Sequence, residues 1–228
     1  MRVRDVAMEP YFQRYLDTRP LAPARGELFT RPDSTQPTER FFSSLTAEEQ
    51  ARILAWLLDV AQDVFAASGV QSSINVDPTI IASERGRNGF LRLAANAKSP
   101  VTFEFGEVPE DWTVESANRL FAQIRDHGHQ SALDNYGKGV PDPVMLHDLQ
   151  FDTIKISGAV TIGIDKGSEG KDRMETLYLD ITNAGKQHVV QGVESQATFQ
   201  WLKEVGFTTF QGYWFGIPMP AAGITHKH

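Results

Sequence analysis

Residues 102–137 read TFEFGEVPEDWTVESANRLFAQIRDHGHQSALDNYG. Two short apolar stretches rich in strand-forming residues, TFEFGE (102–107) and SALDNYG (131–137), flank a segment whose apolar side chains recur at helical spacing. Thr113 supplies an N-cap for that helix and Gly128 a stop signal. A strand, a helix and a second strand in this order are typical of a crossover unit, in which the two strands are parallel.

The same alternation continues through the chain. Helical patterns occupy residues 47–67, where Thr46 and Glu49 form a capping box, and residues 172–185 and 195–205. Eight segments have the character of strands: YFQRYLD (11–17), ARGELFTR (24–31), SSINVDP (72–78), TFEFGE (102–107), SALDNYG (131–137), TIKISG (153–158), HVVQGVE (188–194) and TFQGYWFG (209–216). Eight strands alternating with helices predict an α/β protein with a closed (β/α)₈-type barrel rather than an open sheet.

The first connection departs from this pattern. Only six residues, 18–23, separate the first two predicted strands. A parallel crossover needs about a dozen residues or more, so the first strand is predicted to be antiparallel to the second. Residues 163–172, GIDKGSEGKD, are predicted to form a turn-rich loop.

Composition and charge exclude several classes of function. The chain of 228 residues has no cysteine, which excludes disulfides, thiolate metal sites and a cysteine nucleophile. The net charge is −7 and no basic run occurs, so binding to a DNA or RNA polymer is not expected. No stretch approaches the ~20 apolar residues of a membrane span, and the N-terminus lacks an apolar signal region. We therefore expect a cytoplasmic protein without membrane contact.

Polar side chains fall where the predicted strands end, which is the chemically active face of such barrels. They are Glu27, Arg31, Asn75, Glu104, Glu107, Asp134, Asn135, Lys155, Gln191, Glu194 and Gln211. Taken singly, each is explained by a strand end or a structural ion pair. Three acids and an asparagine on four strands, with a lysine on a fifth, are harder to explain as separate structural contacts. Oxygen ligands suit Mg²⁺, Mn²⁺ or Ca²⁺, and a cation beside a lysine suits a phosphate ester.

Seven motifs in order give a family resemblance. GELFTR is similar to the signature EALxR, SINVDP to NxS, FEFGE to ExTE and LDNYGKG to DDFGTG, while FDTIKIS, VQGVES and FQGYWFG are similar to DxxKID, AEGVE and the QGY/F ending. The chain thus resembles the EAL domain, the cyclic di-GMP phosphodiesterase family, from about Tyr11 to Pro220. The resemblance implies one domain over residues 1–228 with its core at about 11–220, folded as a modified TIM barrel whose first strand is antiparallel.

The resemblance also implies a chemistry, the two-metal hydrolysis of cyclic di-GMP to pGpG. It assigns one metal to Glu27, Asn75, Glu104 and Asp134. It places Gln13, Arg31, Asp152 and Gln211 among the ligand-binding residues. The catalytic positions that it implies are Lys155, Asn135, Gln191 and Glu194, of which Lys155 helps to hold the attacking water.

Two departures from the family pattern affect the second metal. Asn135 and Gln191 stand where the family has carboxylates. A neutral amide is a poorer Mg²⁺ ligand and cannot act as a general base, so the second metal site is predicted to be lost. The following loop reads KGVPDP instead of TGYSS. The sequence leaves open whether Glu194 or Glu107 supplies a missing carboxylate.

Three functions are compatible with these residues. The retained ligand set, with Gln13, Arg31 and Lys155, favours a degenerate EAL domain that binds cyclic di-GMP as a catalytically impaired receptor, with Mg²⁺ (or Mn²⁺ or Ca²⁺) at one site. An active phosphodiesterase producing pGpG and a protein-interaction module without nucleotide binding are the alternatives. A protein partner or a homodimer is also expected.

Overall fold

A computed structural model describes residues 1–106, 112–139, 142–164 and 167–225. These residues contain eleven strands: β1 (Arg2–Val3), β2 (Val6–Arg14), β3 (Leu16–Asp17), β4 (Arg25–Pro32), β5 (Gln71–Asn75), β6 (Val101–Phe105), β7 (Gln130–Tyr136), β8 (Thr153–Ile156), β9 (Gln187–Val190), β10 (Thr209–Phe210) and β11 (Met219–Pro220). They also contain ten helices: α1 (Thr38–Ser43), α2 (Ala47–Ser68), α3 (Pro78–Ile81), α4 (Glu84–Asn96), α5 (Val114–Asp126), α6 (Pro143–His147), α7 (Gly158–Ile164), α8 (Ser168–Asn183), α9 (Gln196–Val205) and α10 (Ala222–Thr225).

The sheet closes into a barrel through the antiparallel pairings of β2 and β3. Strands β4 to β10 lie side by side in chain order and are all parallel. β2 pairs antiparallel with β4, and β3, which continues β2 after Tyr15, pairs antiparallel with β10. The predicted modified TIM barrel with an antiparallel first strand is therefore confirmed. β1 and β11 add short pairings to the other edge of β2.

The alternation of side chains along β6 separates the two layers of the interior. Phe103 and Phe105 face outward, where they pack against Phe90 of α4 and Phe121 of α5. Glu104, between them, faces the inside of the barrel and is fully buried. Because side chains of a strand point alternately to opposite faces, this pattern puts one inward-facing acid between two outward-facing phenylalanines.

The helix signals read from the sequence agree with the structure at two helices. Thr46 and Glu49 form the capping box of α2, which ends at Gly69 in a left-handed conformation with φ 70°. Thr113 accepts a hydrogen bond from the backbone of Ser116 at the start of α5. The part of the chain that is described contains no helix long and apolar enough to cross a membrane.

Two local predictions differ from the structure. The first strand begins at Val6 rather than residue 11, because β1 folds back on it. The loop predicted at residues 163–172 is wrong, since α7 continues to Ile164 and α8 starts at Ser168. The small and polar residues of that segment suggested turns. However, the buried Met174 and Leu177 anchor the first half of α8 against the barrel.

The short β3–β10 pairing is reinforced by Asp17. Its carboxylate accepts hydrogen bonds from Arg19 (2.6 Å), Arg25 (3.3 Å) and Thr209 (3.2 Å). Partial burial disfavours the charged carboxylate, but the hydrogen bonds and charge of Arg19 outweigh that effect and lower the pKa of Asp17 to about 2. Asp17 thus joins both strands that close the barrel to the arginine at the start of β4.

We predict that Asp17→Asn lowers the free energy of unfolding at pH 7 by about 2 kcal/mol, the energy equivalent of the lowered pKa. The carboxylate stabilises the fold fully above pH 4, and this contribution falls as the pH drops through 2. Urea unfolding at pH 7 and pH 3 measures both values, and the difference from wild type shrinks at pH 3. The exposed Asp59→Asn on α2 is the control. A difference that does not depend on pH contradicts the assignment.

Candidate functional site at the barrel mouth

The carboxyl ends of the parallel strands bring one lysine and three acids together. The Nζ atom of Lys155 lies 2.6 Å from Glu104 Oε2, 3.0 Å from Glu27 Oε2 and 3.4 Å from Asp134 Oδ1. Lys155 is 1% exposed and Glu104 is 0% exposed, so this pair lies inside the barrel. The convergence of these side chains, which come from β4, β6, β7 and β8, makes the mouth the chemically distinctive part of the structure.

The charged groups of this cluster shift one another's pKa values. Burial disfavours the ammonium of Lys155, but the neighbouring Asp134, Glu104 and Glu27 raise its pKa well above the ordinary value. Burial also opposes ionisation of Glu27, but the charge of Lys155 and the hydrogen bonds it receives lower its pKa. For Glu104, burial dominates and raises the pKa to about 8.

Tyr15 belongs to the same cluster, although it is not among the site residues predicted from the sequence. Its hydroxyl donates to Glu104 Oε1 at 3.1 Å and lies 3.2 Å from Ser73 Oγ. Burial raises the pKa of Tyr15 well above its ordinary value. The one available signal was its spacing, because Tyr15 is two residues beyond Gln13 and so shares its face of the strand.

Asp134 accepts hydrogen bonds from the side-chain amides of two neighbouring residues, Asn135 and Gln191. Asn135 Nδ2 donates to Asp134 Oδ2 at 2.6 Å, and Gln191 Nε2 donates to Asp134 Oδ1 at 3.1 Å. Asn135 has a left-handed backbone with φ 58°, at an irregularity in the pairing of β7 and β8. Each oxygen of Asp134 therefore accepts an amide hydrogen, an arrangement that carboxylates at positions 135 and 191 could not form.

Glu27 is the centre of a second set of amide contacts. It accepts hydrogen bonds from Asn75 Nδ2 (3.1 Å) and Gln211 Nε2 (2.8 Å). Gln211 Nε2 also donates to Gln13 Oε1 at 3.0 Å, and Gln13 Nε2 donates to the carbonyl of Gly216 at 2.9 Å. The buried Oε1 of Gln211 finds no hydrogen-bond partner among the described residues.

Asp152 is not brought to this mouth. It precedes β8, while Lys155 lies within that strand, so Asp152 sits near the opposite, amino end of the barrel. Its carboxylate accepts from the backbone and hydroxyl of Ser131 (2.8 and 3.2 Å) and lies 3.5 Å from Arg125. The structure therefore does not bring Asp152 together with the other predicted ligand-binding residues. The physical reason is that Asp152 precedes Lys155 by three positions, which corresponds to about 10 Å along an extended strand.

The candidate replacement acids and Arg31 lie outside the cluster. Glu194 is exposed and forms no hydrogen bond or ion pair with any described residue. Glu107 falls outside the described residues, as do two residues of the loop KGVPDP. Arg31 is exposed near the end of β4, beyond the cluster.

A cavity of about 730 Å³ opens at this mouth. Its polar side is lined by Gln13, Glu27, Asn75, Asp134, Asn135 and Gln211, and its apolar side includes Phe29, Phe42, Ile53, Leu57 and Ile80. A volume in the usual range for small-molecule sites, with convergent polar groups on one side, makes this cavity the candidate ligand site.

The modified TIM barrel, with acids, amides and a lysine at its mouth, has the fold and the site residues predicted for an EAL domain. The model of the EAL domain family matches residues 3–218, and the chain belongs to this family.

The relatives are distant in sequence. The cyclic di-GMP phosphodiesterase PdeH of Escherichia coli K12 is 26% identical over 196 residues, covering 83% of this chain and 73% of that protein. The probable cyclic di-GMP phosphodiesterase PdeN of the same strain is 26% identical over 156 residues, covering 67% of this chain but 30% of that protein. The chain thus spans less than a third of the length of PdeN.

Solved structures share the fold. A standalone versatile EAL protein from Vibrio cholerae O395, in its c-di-GMP bound form, has a TM-score of 0.78 and 24% identity, covering 96% of this chain and 95% of that one. The FimX EAL domain from Pseudomonas aeruginosa bound to c-di-GMP has a TM-score of 0.79 and 19% identity, covering 92% and 90%.

EAL domains use divalent metal ions such as Mg²⁺ or Mn²⁺. The donor types at this mouth fit a hard cation, because Glu27, Asn75, Glu104 and Asp134 offer oxygens. The space between the three carboxylates holds the ammonium of Lys155. Within the described ranges, no group of three or more His, Asp or Glu side chains is arranged to hold a metal ion.

We predict that Lys155→Met lowers the free energy of unfolding by about 3 kcal/mol or more, because removing one member of a buried ion pair leaves uncompensated charge. Urea unfolding at pH 7 measures the loss. Lys138→Met, at an exposed lysine in the loop after β7, is the matched control and is expected to change stability by less than about 0.5 kcal/mol. A loss below about 1 kcal/mol for Lys155→Met, within the range of exposed pairs, would show that the ammonium is not the compensating charge.

Proposed function

We propose that this EAL domain binds cyclic di-GMP and hydrolyses it slowly or not at all. The observation that carries the proposal is the pair of amides on Asp134. At the two positions that would complete a second cation site, Asn135 and Gln191 supply hydrogen-bond donors rather than negative charge. A two-metal hydrolysis needs carboxylates there, both to hold the cation and to help form the attacking hydroxide.

Binding is supported by the groups that are retained. Gln13 and Gln211 line the cavity of about 730 Å³ together with Glu27, and Arg31 lies on the strand that forms one wall. Both solved structures described above are bound to c-di-GMP, and both share this fold over more than 90% of the chain. Asp152 is left out of the proposed ligand contacts because of its position at the amino end.

We further propose one cation, Mg²⁺, Mn²⁺ or Ca²⁺, with Glu27, Asn75, Glu104 and Asp134 as its ligands. When bound, such an ion would neutralise a phosphate oxygen. Lys155 supplies a permanent positive charge among these groups and orients the carboxylates through its contacts with Glu27 and Glu104.

An active phosphodiesterase is the second candidate function. It is favoured by the relative PdeH, which is named as a cyclic di-GMP phosphodiesterase and aligns with 83% of the chain. In that case Glu194, which is exposed at the mouth side of β9, is the available acid to replace a missing carboxylate.

A role in binding another protein or a second copy of the chain is the third candidate. It is suggested by a run of exposed apolar side chains, Tyr213, Trp214, Ile217 and Met219, which are 48–66% exposed. The binding experiment decides between this candidate and the receptor.

Titration calorimetry with cyclic di-GMP, with and without Mg²⁺ or Ca²⁺, tests the receptor directly. We predict that wild type binds and that Arg31→Ala weakens binding about tenfold or more. The reason is that a hydrogen bond to a charged group contributes about 1.5–3 kcal/mol. The control is Arg14→Ala, which removes an exposed arginine from the same hairpin on the strand face opposite to Gln13. No binding by wild type at high ligand concentration would favour the protein-interaction module.

Introducing carboxylates at positions 135 and 191 tests the proposal that hydrolysis of cyclic di-GMP is slow or absent. We predict that wild type forms little or no pGpG with Mg²⁺ or Mn²⁺, and that Asn135→Asp with Gln191→Glu gains measurable turnover. Each single change should gain less, because a second cation needs both charges. Product is followed by chromatography.

The control for this experiment is Glu104→Gln added to the double variant. It removes an acid of the first ligand set, so turnover that persists comes from a contaminant. Robust turnover by wild type contradicts the proposal and favours the active enzyme, and Glu194→Gln in wild type then tests the replacement acid.

A further inference from the structure

The hairpin of β2 and β4 extends beyond the rim of the barrel. β4 pairs with β5 only from Arg25 to Glu27, whereas its pairing with β2 continues to Pro32. Glu27, Phe29 and Arg31 alternate with outward residues and therefore share one face of β4. Arg31 lies about 13 Å along the strand from Glu27, at about 3.3 Å per residue. The hairpin thus carries a cation outward from the carboxylate cluster on the same face.

Two aromatic rings underlie this cation. The guanidinium carbon of Arg31 lies 4.3 Å from the centre of the Tyr11 ring and 5.8 Å from that of Phe29. Tyr11 and Phe29 are directly opposite each other in the β2–β4 pairing, with their rings 6.2 Å apart and inclined by 27°. The closest contact is therefore a guanidinium resting on Tyr11, a geometry in which the ring attracts the cation.

Stacking leaves the donors of Arg31 unused. The side chain of Arg31 is exposed and its guanidinium forms no hydrogen bond or ion pair with a described residue, including the carboxylate of its cross-strand neighbour Glu9. A guanidinium carries five N–H donors in its plane, and a ring against its face does not consume them. Lys155 is the opposite case, since its ammonium contacts three carboxylates. Of these two cations, Arg31 is the one whose donors are available to bind an anion.

We infer that Tyr11 is a positioning residue that, with Phe29, holds the guanidinium of Arg31 in place for a phosphate of the bound ligand. This inference rests on the proposed binding of cyclic di-GMP. Without the ring, Arg31 would sample many rotamers, and ordering a long side chain on binding costs affinity. Tyr11 itself need not touch the ligand, so its contribution should exist only when Arg31 is present.

A double-mutant cycle with cyclic di-GMP tests this dependence. Tyr11→Leu removes the ring and is expected to weaken binding about threefold to tenfold, the equivalent of ordering one long side chain. Tyr11→Phe keeps the ring and is expected to bind within about twofold of wild type, as 0.5 kcal/mol or less would give. In an Arg31→Ala background, Tyr11→Leu should make no further difference. Thermal unfolding of each variant confirms that the strand pairing is kept.

A second readout needs no ligand. In the free protein, the side-chain Nε–H signal of Arg31 in a ¹H–¹⁵N NMR spectrum should be displaced by the ring and should move to the position of exposed arginines in Tyr11→Leu. Tyr11→Phe should leave it displaced, and the signal is assigned by its loss in Arg31→Ala.

The outcomes separate the two proposals. If wild type does not bind cyclic di-GMP, the proposed function fails, while the NMR signal still decides whether Tyr11 holds Arg31. If Tyr11→Leu weakens binding equally with and without Arg31, the ring acts on the ligand or the fold, and the inference is overturned. An unshifted Arg31 signal in wild type also overturns it.

Discussion

One buried ammonium holds the mouth of this barrel together. Lys155 lies within 3.4 Å of carboxylates from three other strands, and its charge lowers the pKa of Glu27 and opposes the rise that burial causes in the pKa of Glu104. Isolated buried carboxylates would be too costly to keep ionised. The cluster also accounts for the surrounding hydrogen bonds, because Tyr15, Asn75 and Gln211 all donate to the same acids.

The side-chain amides at positions 135 and 191 make the mouth an internally hydrogen-bonded network. Both amides direct hydrogens to Asp134. The network satisfies both carboxylate oxygens of Asp134 by hydrogen bonds from neighbouring side chains. Under the proposed function, the same amides that slow hydrolysis also hold Asp134 in place at the mouth.

The two cations of the mouth have different surroundings and hence different uses. Lys155 is enclosed and neutralised, so its role is internal. Arg31 stands on the overhanging hairpin, where Tyr11 covers one face of its guanidinium and leaves its edges free. The placement follows from the antiparallel first strand, which sets Tyr11 opposite Phe29 and so brings it beneath Arg31.

The sequence determined the strand order, the antiparallel first pair and the set of acids at the strand ends, because hydrophobic alternation, loop length and strand-end position are local properties. Glu27, Glu104, Asp134 and Lys155 could be expected at one mouth for that reason. Only the tertiary structure decided which groups touch. It added Tyr15 to the cluster, moved Asp152 to the opposite end and turned Asn135 and Gln191 toward Asp134. These contacts join strands that are far apart in the chain, and their geometry depends on barrel closure, which no local pattern encodes.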